Sequence, residues 1–229
     1  MITRHILFSA VFVGILCAGP GSVQAQKDEE KDFDRITPVV RAVQKCQGAV
    51  VAFMNAKTGK PMGTGVIVDG SGIIVTNVHV VGTNKTLNIQ LIDKSEHVAE
   101  VLVLKGDYDL AVVKITPTGK LDVLPPCKSD KVFVGEDVIA IGHPYGYSYS
   151  ITRGILSATG RKLTLPSGVD IVDIYQTDAP INPGNSGGPL MNIHGELIGI
   201  NFATREGAGG ISFTIPSKRV REVLAEYSK

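Results

Sequence analysis

The chain has 229 residues, 43% hydrophobic and 20% charged, enough apolar side chain to bury a core and to exclude a disordered polymer. Lysine plus arginine number 23 against 22 aspartate plus glutamate, so no net field exists to hold nucleic acid or an anionic membrane surface. The length fits one large all-β domain or two small ones.

The N-terminus reads as a basic start at Arg4, an apolar run from Ile6 to Ala18, and small residues in Val23-Gln24-Ala25 before Gln26. That order is an export signal over residues 1–25, cleaved after Ala25. The run is shorter than the ~20 residues of a spanning helix, so no stable membrane span is expected after cleavage. An uncleaved tilted anchor reaching Val23 is the alternative. Cys17 leaves with the signal, because Leu16 stands where a lipoprotein signal needs a small residue. Cleavage also removes Arg4 and leaves 22 residues of each charge. Export to an oxidising compartment would let Cys46 and Cys127 pair. Closing so long a loop would stabilise by about 4 kcal/mol in chain-entropy terms; two unpaired buried thiols are the alternative.

Residues 26–35 form a charged arm with almost nothing to bury, Phe33 being its one large apolar side chain. Thr37 and Pro38 then supply an N-cap and a first-turn residue. Val39, Val40 and Val43 recur at helical spacing, which predicts a short helix before Cys46.

From Gly48 the pattern changes to short β-branched runs broken by Gly, Pro, Asn and Asp. Ala49–Phe53, Gly65–Val68, Ile73–Thr76, Leu87–Leu91, Val98–Lys105 and Leu110–Ile115 make a first barrel over about 48–117. Residues 118–130, with prolines before and within them and Cys127, read as a surface linker. Asp137–Ile141, Ser150–Thr159, Ile171–Gln176, Pro189–Ile193, Leu197–Phe202 and Ile211–Ile215 make a second barrel over about 131–216. Ser217 then caps a closing helix over 217–228, with Val220, Val223, Leu224 and Tyr227 on one face. The fold class is all-β, with short helices at either end.

The densest chemical signal is Gly184-Asn185-Ser186-Gly187-Gly188-Pro189, a serine enclosed by glycines between two expected strands. Glycine lets a substrate carbonyl approach the main chain. Within the Gly184, Asn185 and Ser186 backbone, the N–H groups of Gly184 and Ser186 could converge on an oxyanion. A plain glycine-rich turn is the structural alternative. A hydroxyl is a weak nucleophile without a base, normally an imidazole held by a carboxylate. His79 follows the β-branched run Ile74-Val75-Thr76, and Asp109 immediately precedes the apolar strand Leu110–Val113, with Asp107 as its rival. His97, His143 and His194 lie in no metal-ligand spacing and read as surface or packing residues. No metal and no cofactor is expected.

Thr76-Asn77-Val78-His79-Val80-Val81, Asp109-Leu110-Ala111-Val112-Val113 and Gly184-Asn185-Ser186-Gly187-Gly188 resemble, in order, the three catalytic segments of HtrA/Deg-type serine proteases. Further similarity lies in Gly63–Val68, Ala140–Gly146, Thr152–Ala158 and Ile198–Asn201, so the resemblance covers nearly all of residues 36–228. It implies a chymotrypsin-like protease domain over 36–229, built from two perpendicular six-stranded barrels with the active site in their crevice. His79, Asp109 and Ser186 would be the triad, cleaving polypeptides through an acyl-enzyme. Its activity would rise across the range in which histidine loses its proton.

Pro180 stands six residues before Ser186, where trypsin-like enzymes carry an acid, so cleavage after Lys or Arg is disfavoured. Asn201, Phe202, Ala203 and Thr204 are expected to line a pocket for small aliphatic residues. The resemblance further implies a periplasmic or secreted protein, unfolded proteins as substrates, and a homotrimer built through the arm around Phe33. It departs in ending without a PDZ domain, and in the short glycine-rich connection from Gly207 to Gly210. An α/β-hydrolase esterase would need an acid and then a histidine after the serine; only His194 follows, with no acid between. A catalytically silent binding or chaperone module is the remaining alternative, against which stands the presence of all three triad residues.

Overall fold

Among the described residues twelve strands pair into two closed antiparallel barrels, each strand overlapping one of the β-branched runs. The computed structural model describes residues 35–143, 149–165, 168–204 and 209–227. Arg35–Thr37 end a separate N-terminal unit, in which the Thr37 N–H donates to the Arg35 carbonyl at 3.0 Å. The expected signal and the arm with Phe33 lie outside the described residues. Both barrels belong to the second unit, which starts at Pro38. No helix among the described residues is long and apolar enough to cross a membrane.

The first barrel contains β1 (Val50–Met54), β2 (Pro61–Asp69), β3 (Ile73–Thr76), β4 (Thr86–Gln90), β5 (Glu96–Lys105) and β6 (Leu110–Lys114). They close in the order β1-β2-β3-β6-β5-β4. The second contains β7 (Asp137–Gly142), β8 (Ser150–Thr164), β9 (Asp170–Thr177), β10 (Pro189–Asn192), β11 (Leu197–Thr204) and β12 (Ser212–Pro216), closing as β10-β11-β12-β9-β8-β7. β4 alternates exposed and buried side chains, as a half-covered strand must, whereas β3, β10 and β12 are buried on both faces. Phe53, Ile67, Ile74, Ile89 and Leu110 are fully buried in the first barrel, and Ile139, Ile141, Leu156 and Leu190 in the second. Each contributes roughly 1.5–3 kcal/mol relative to an exposed side chain.

The connection between the barrels carries no strand but is stitched to both. Leu124 N–H donates to the Ile67 carbonyl at 2.8 Å and Cys127 N–H to the Leu197 carbonyl at 2.9 Å. Helix α1 (Pro38–Cys46) buries Ala42 and Cys46. It docks on the β10–β11 turn, where Lys45 Nζ donates to the His194 carbonyl at 3.2 Å and Cys46 Sγ to that of Gly195 at 3.4 Å. Of the two alternatives for Cys46 and Cys127, a bridge or two unpaired thiols, the structure carries free thiols at both positions. Burial raises the Cys46 pKa above that of an ordinary thiol, so its sulfur is held neutral against the Gly195 carbonyl.

Helix α2 (Ser217–Tyr227) closes the fold, burying Val220 and Val223 with Leu224 partly covered. Tyr227, expected on that same face, is instead exposed as the last residue of the helix. The Ser217 hydroxyl donates to the Leu197 carbonyl and so ties the helix start to β11.

Candidate active site

β3 ends at Thr76, and Asn77 keeps an extended backbone (φ −94°, ψ 153°) before a single helical turn, Val78–Val81, that carries His79. Asp109 lies on the next strand over, in the turn between β5 and β6. It adopts a left-handed conformation (φ 51°, ψ 36°) that aspartate tolerates better than most residues. That conformation is held from several sides. The Asp109 carbonyl accepts from Asn77 Nδ2 at 2.9 Å and from Val78 N–H at 3.2 Å. Its Oδ1 accepts from the His79 N–H at 3.0 Å, and Oδ2 lies 2.6 Å from His79 Nδ1. Asp109 is 4% exposed, while the His79 side chain is 48% exposed. A buried carboxylate thus orients an accessible imidazole by one nitrogen and leaves Nε2 to the solvent side. Asp107, the rival carboxylate, is exposed two residues away.

Ser186 sits in the turn before β10, whose peptides are pinned alternately. The 184–185 peptide is held at both ends: the Gly184 carbonyl accepts from Thr64 Oγ1 at 2.6 Å, and Asn185 N–H donates to the Asn182 carbonyl at 2.9 Å. The 186–187 peptide is likewise held, its carbonyl by Thr64 N–H at 2.9 Å and its N–H by the Asn201 carbonyl at 2.8 Å. Between them the Asn185 carbonyl accepts from Gly188 N–H at 3.0 Å, so the antiparallel Ser186 N–H of that planar peptide points the other way. The N–H groups of Gly184 and Ser186 donate to no described residue. Of the three backbone positions expected at an oxyanion hole, Asn185 is the one whose N–H is committed within the turn.

Gly187 could not be another residue. Its φ is 83°, and a Cβ there would stand 2.1 Å from the Thr64 carbonyl oxygen and 2.2 Å from Thr76 Oγ1. The same close approach brings the two halves together. Thr64 bonds Ser186 with its N–H and accepts from Thr76 Oγ1 at 2.7 Å with its carbonyl. The preceding Gly63 lies against Val80, where a Cβ would meet Val80 Cγ1 at 2.5 Å. Residues 63 and 64 of β2 are thus wedged between the turn bearing Ser186 and the turn bearing His79. No hydrogen bond links the His79 ring to the Ser186 hydroxyl among the described residues.

The expected pocket residues separate into different roles. Pro180 is exposed on the segment leading to the serine turn. Asn201 is fully buried and its side chain is fully engaged, Nδ2 donating to the Pro189 carbonyl at 2.9 Å and Oδ1 accepting from Thr214 Oγ1 at 2.9 Å. It braces β11 against Pro189 and β12. Phe202 is buried in the core cluster. Ala203 and Thr204 complete β11, and their side chains lie outside the described ones, as do residues 205–208, which include Gly207 of the expected glycine-rich connection. Asp178, the nearest acid before Ser186, accepts at Oδ1 from the Ile155 N–H on β8 at 2.6 Å.

Two residues that the motif pattern passed over belong to this site. Thr64 is buried with its hydroxyl on the Gly184 carbonyl, and His143, read as a packing residue, stands directly behind it at the end of β7. The signal was a polar residue flanked by glycines in an otherwise apolar strand, and a histidine ending a buried one. His143 is 1% exposed, and burial, with Lys94 adding to it, lowers its pKa to about 4. Among the described residues no group of three or more His, Cys, Asp or Glu is placed to hold a metal ion.

The trypsin-like peptidase domain family matches residues 63–200. Serine protease HTRA1 of Xenopus laevis is 37% identical over 214 residues, covering 89% of this chain and 46% of that protein. A probable periplasmic serine endoprotease, DegP-like, of Chlamydia trachomatis is 45% identical over 166 residues, 71% of this chain and 33% of its own length. The chain thus spans less than half of either relative. Among solved structures, the serine endoprotease from Yersinia pestis superposes with a TM-score of 0.73 at 35% identity, covering 83% of this chain and 66% of that one. The HtrA-type protease AlgW with tripeptide gives 0.73 at 38% identity, covering 80% and 61%. A double barrel shared with these proteases, and a family match running from β2 to β11, place this chain among the trypsin-like peptidases, in their HtrA/DegP branch.

Proposed function

We propose that the chain is a serine endopeptidase in which Ser186 is the nucleophile, His79 the general base and Asp109 the residue that orients the imidazole. The observation that carries this reading is the Asp109–His79 pair at 2.6 Å, wedged by β2 against a serine turn with two uncommitted amides. His79 Nε2 would take the Ser186 proton as Oγ attacks the peptide carbonyl, and the Gly184 and Ser186 N–H groups would receive the charge on its oxygen. The imidazolium, stabilised by Asp109, then returns the proton to the leaving amine, and water releases the acyl group by the same route.

Substrates on this reading are polypeptides, unfolded ones in a quality-control role, cut after small aliphatic residues such as Val or Ala. The exposed Pro180 in place of an acid, and the engagement of Asp178 with Ile155, speak against a basic primary residue. The chain works after export, in a periplasm or outside the cell, and assembles as a trimer through its N-terminal arm; native mass spectrometry reads that stoichiometry directly. The reading is tested with a set of peptides differing at one position. Turnover of valyl or alanyl peptides that disappears in Ser186→Ala is expected, and preferential turnover of arginyl peptides, or turnover surviving Ser186→Ala, would refute it.

A further inference from the structure

The hydroxyl of Thr64 meets three partners, and their chemistry fixes which way each bond runs. Oγ1 stands 2.6 Å from the Gly184 carbonyl oxygen, 3.2 Å from the His143 N–H and 3.3 Å from His143 Nδ1. A hydroxyl has one proton and two lone pairs. The carbonyl can only accept and the backbone N–H can only donate, so the proton goes to Gly184 and one lone pair goes to the amide. The remaining lone pair faces Nδ1, which must therefore be the nitrogen that carries hydrogen. His143 is thereby held as the Nδ1–H tautomer. Its Nε2, buried without a described partner, is a bare lone pair, and the T-shaped contact with the Tyr149 ring at 4.6 Å keeps the imidazole in place.

We propose that Thr64 is a positioning residue for the oxyanion turn: its hydroxyl, oriented by His143, fixes the Gly184 carbonyl and so the direction in which the Gly184 and Ser186 amides face. The inference rests on the reading of those two amides as oxyanion donors. Thr64 touches no reacting atom. It straddles the turn, hydroxyl on the 184 carbonyl and N–H on the 186 carbonyl, so the peptide between the two donors cannot rotate while both bonds hold. Beyond Thr64, the Gly184 carbonyl has one neighbour, the His143 N–H at 3.4 Å, and the other end of the peptide is held by the Asn185 N–H on the Asn182 carbonyl at 2.9 Å; glycine on the loop side offers no side chain to resist a flip.

The test compares Thr64→Val, which keeps the shape and removes the hydroxyl, with Thr64→Ser, which restores it. In the full chain, Thr64→Val should lower kcat on a peptide substrate by about 10- to 100-fold, somewhat less than loss of an oxyanion donor itself. KM should stay within about threefold and the thermal midpoint should stay well above the assay temperature. Thr64→Ser should return kcat to within about threefold of the wild type. A Thr64→Val enzyme with unchanged kcat, one impaired only in KM, or a Thr64→Ser enzyme as slow as Thr64→Val would overturn the inference. A wild-type chain that hydrolyses no peptide would sink the underlying reading instead. The crystal structure of Thr64→Val then decides the inference alone, a rotated 184–185 peptide supporting it and an unmoved one overturning it.

Discussion

Asp109 shows how one residue can be committed at every polar atom: two donors on its carbonyl, the His79 amide on Oδ1 and the His79 ring on Oδ2. An amide in its place would have to turn NH₂ toward one of two donors. Asp109→Asn is therefore expected to lower kcat by roughly 10⁴, the loss seen when the wrong tautomer is imposed on a triad histidine, with the fold retained by circular dichroism. His143 carries a prediction of a different kind. It stays neutral in the native state down to about pH 4, against about 6.5 for an ordinary histidine in the unfolded chain. Between those values the unfolded state binds more protons, so stability that is full above about pH 6.5 is lost as pH falls toward 4. The loss is on the order of 3 kcal/mol. His143→Asn, whose amide can still donate to Thr64 but takes no proton, should flatten that part of the urea midpoint against pH. Gly187→Ala, strained by φ and meeting two oxygens, should yield little soluble protein. At this scale His79, Asp109 and Ser186 were legible because each sits in a distinctive local segment: a histidine after a β-branched run, an aspartate before an apolar strand, a serine among glycines. The bracing residues were not, since buried Thr and Asn in strands look like ordinary sheet residues until their partners are known.

Strands were legible wherever one face is buried, and their ends were not. β2 begins at Pro61, earlier than the apolar run at Gly65 suggests, because Gly63 and Thr64 serve the close approach to Val80 and the serine turn. β8 continues to Thr164, beyond the expected end at Thr159, as half of a ribbon with β9. There Arg161 bonds Gln176, and Lys162 and Thr164 meet Asp170. Polar cross-strand pairs hold that ribbon, so it lacks the apolar alternation by which a strand is recognised. The two faces of β9 make this measurable. Ile174 is fully buried and Ile174→Ala should cost about 2–5 kcal/mol. Val172, 47% exposed, should change stability by no more than about 0.5 kcal/mol when cut to alanine. Denaturant midpoints of the two variants decide it.

The first barrel carries the His79–Asp109 pair and the second carries Ser186, so the relative placement of the barrels decides how these residues meet. Helix α2 spans that junction. Ser217 bonds the Leu197 carbonyl on β11, Arg219 lies over the Tyr108 ring at 4.9 Å, and Arg221 reaches the Cys127 carbonyl and Asp130 in the inter-barrel connection. Glu226 pairs with Lys105 at the end of β5. Tyr108 immediately precedes Asp109, so the helix is one residue removed from the acid that orients His79. The apolar anchor should matter more than the exposed ion pair: Val220→Ala is expected to cost about 2 kcal/mol, while Lys105→Ala, on a solvated pair, should leave the thermal midpoint nearly unchanged. Such an arrangement of helix over two barrels cannot be seen in periodicity, which reports each element's buried face and not what covers it.

Covalent labelling tests the whole account most directly. The protein is treated with a fluorophosphonate, digested and mapped by mass spectrometry. The adduct is predicted on Ser186 alone, and should disappear both in Ser186→Ala and in His79→Ala, which leaves the serine in place but removes its base. Labelling of another serine, or undiminished labelling of Ser186 without His79, would contradict the assignment of base and nucleophile on which everything else depends.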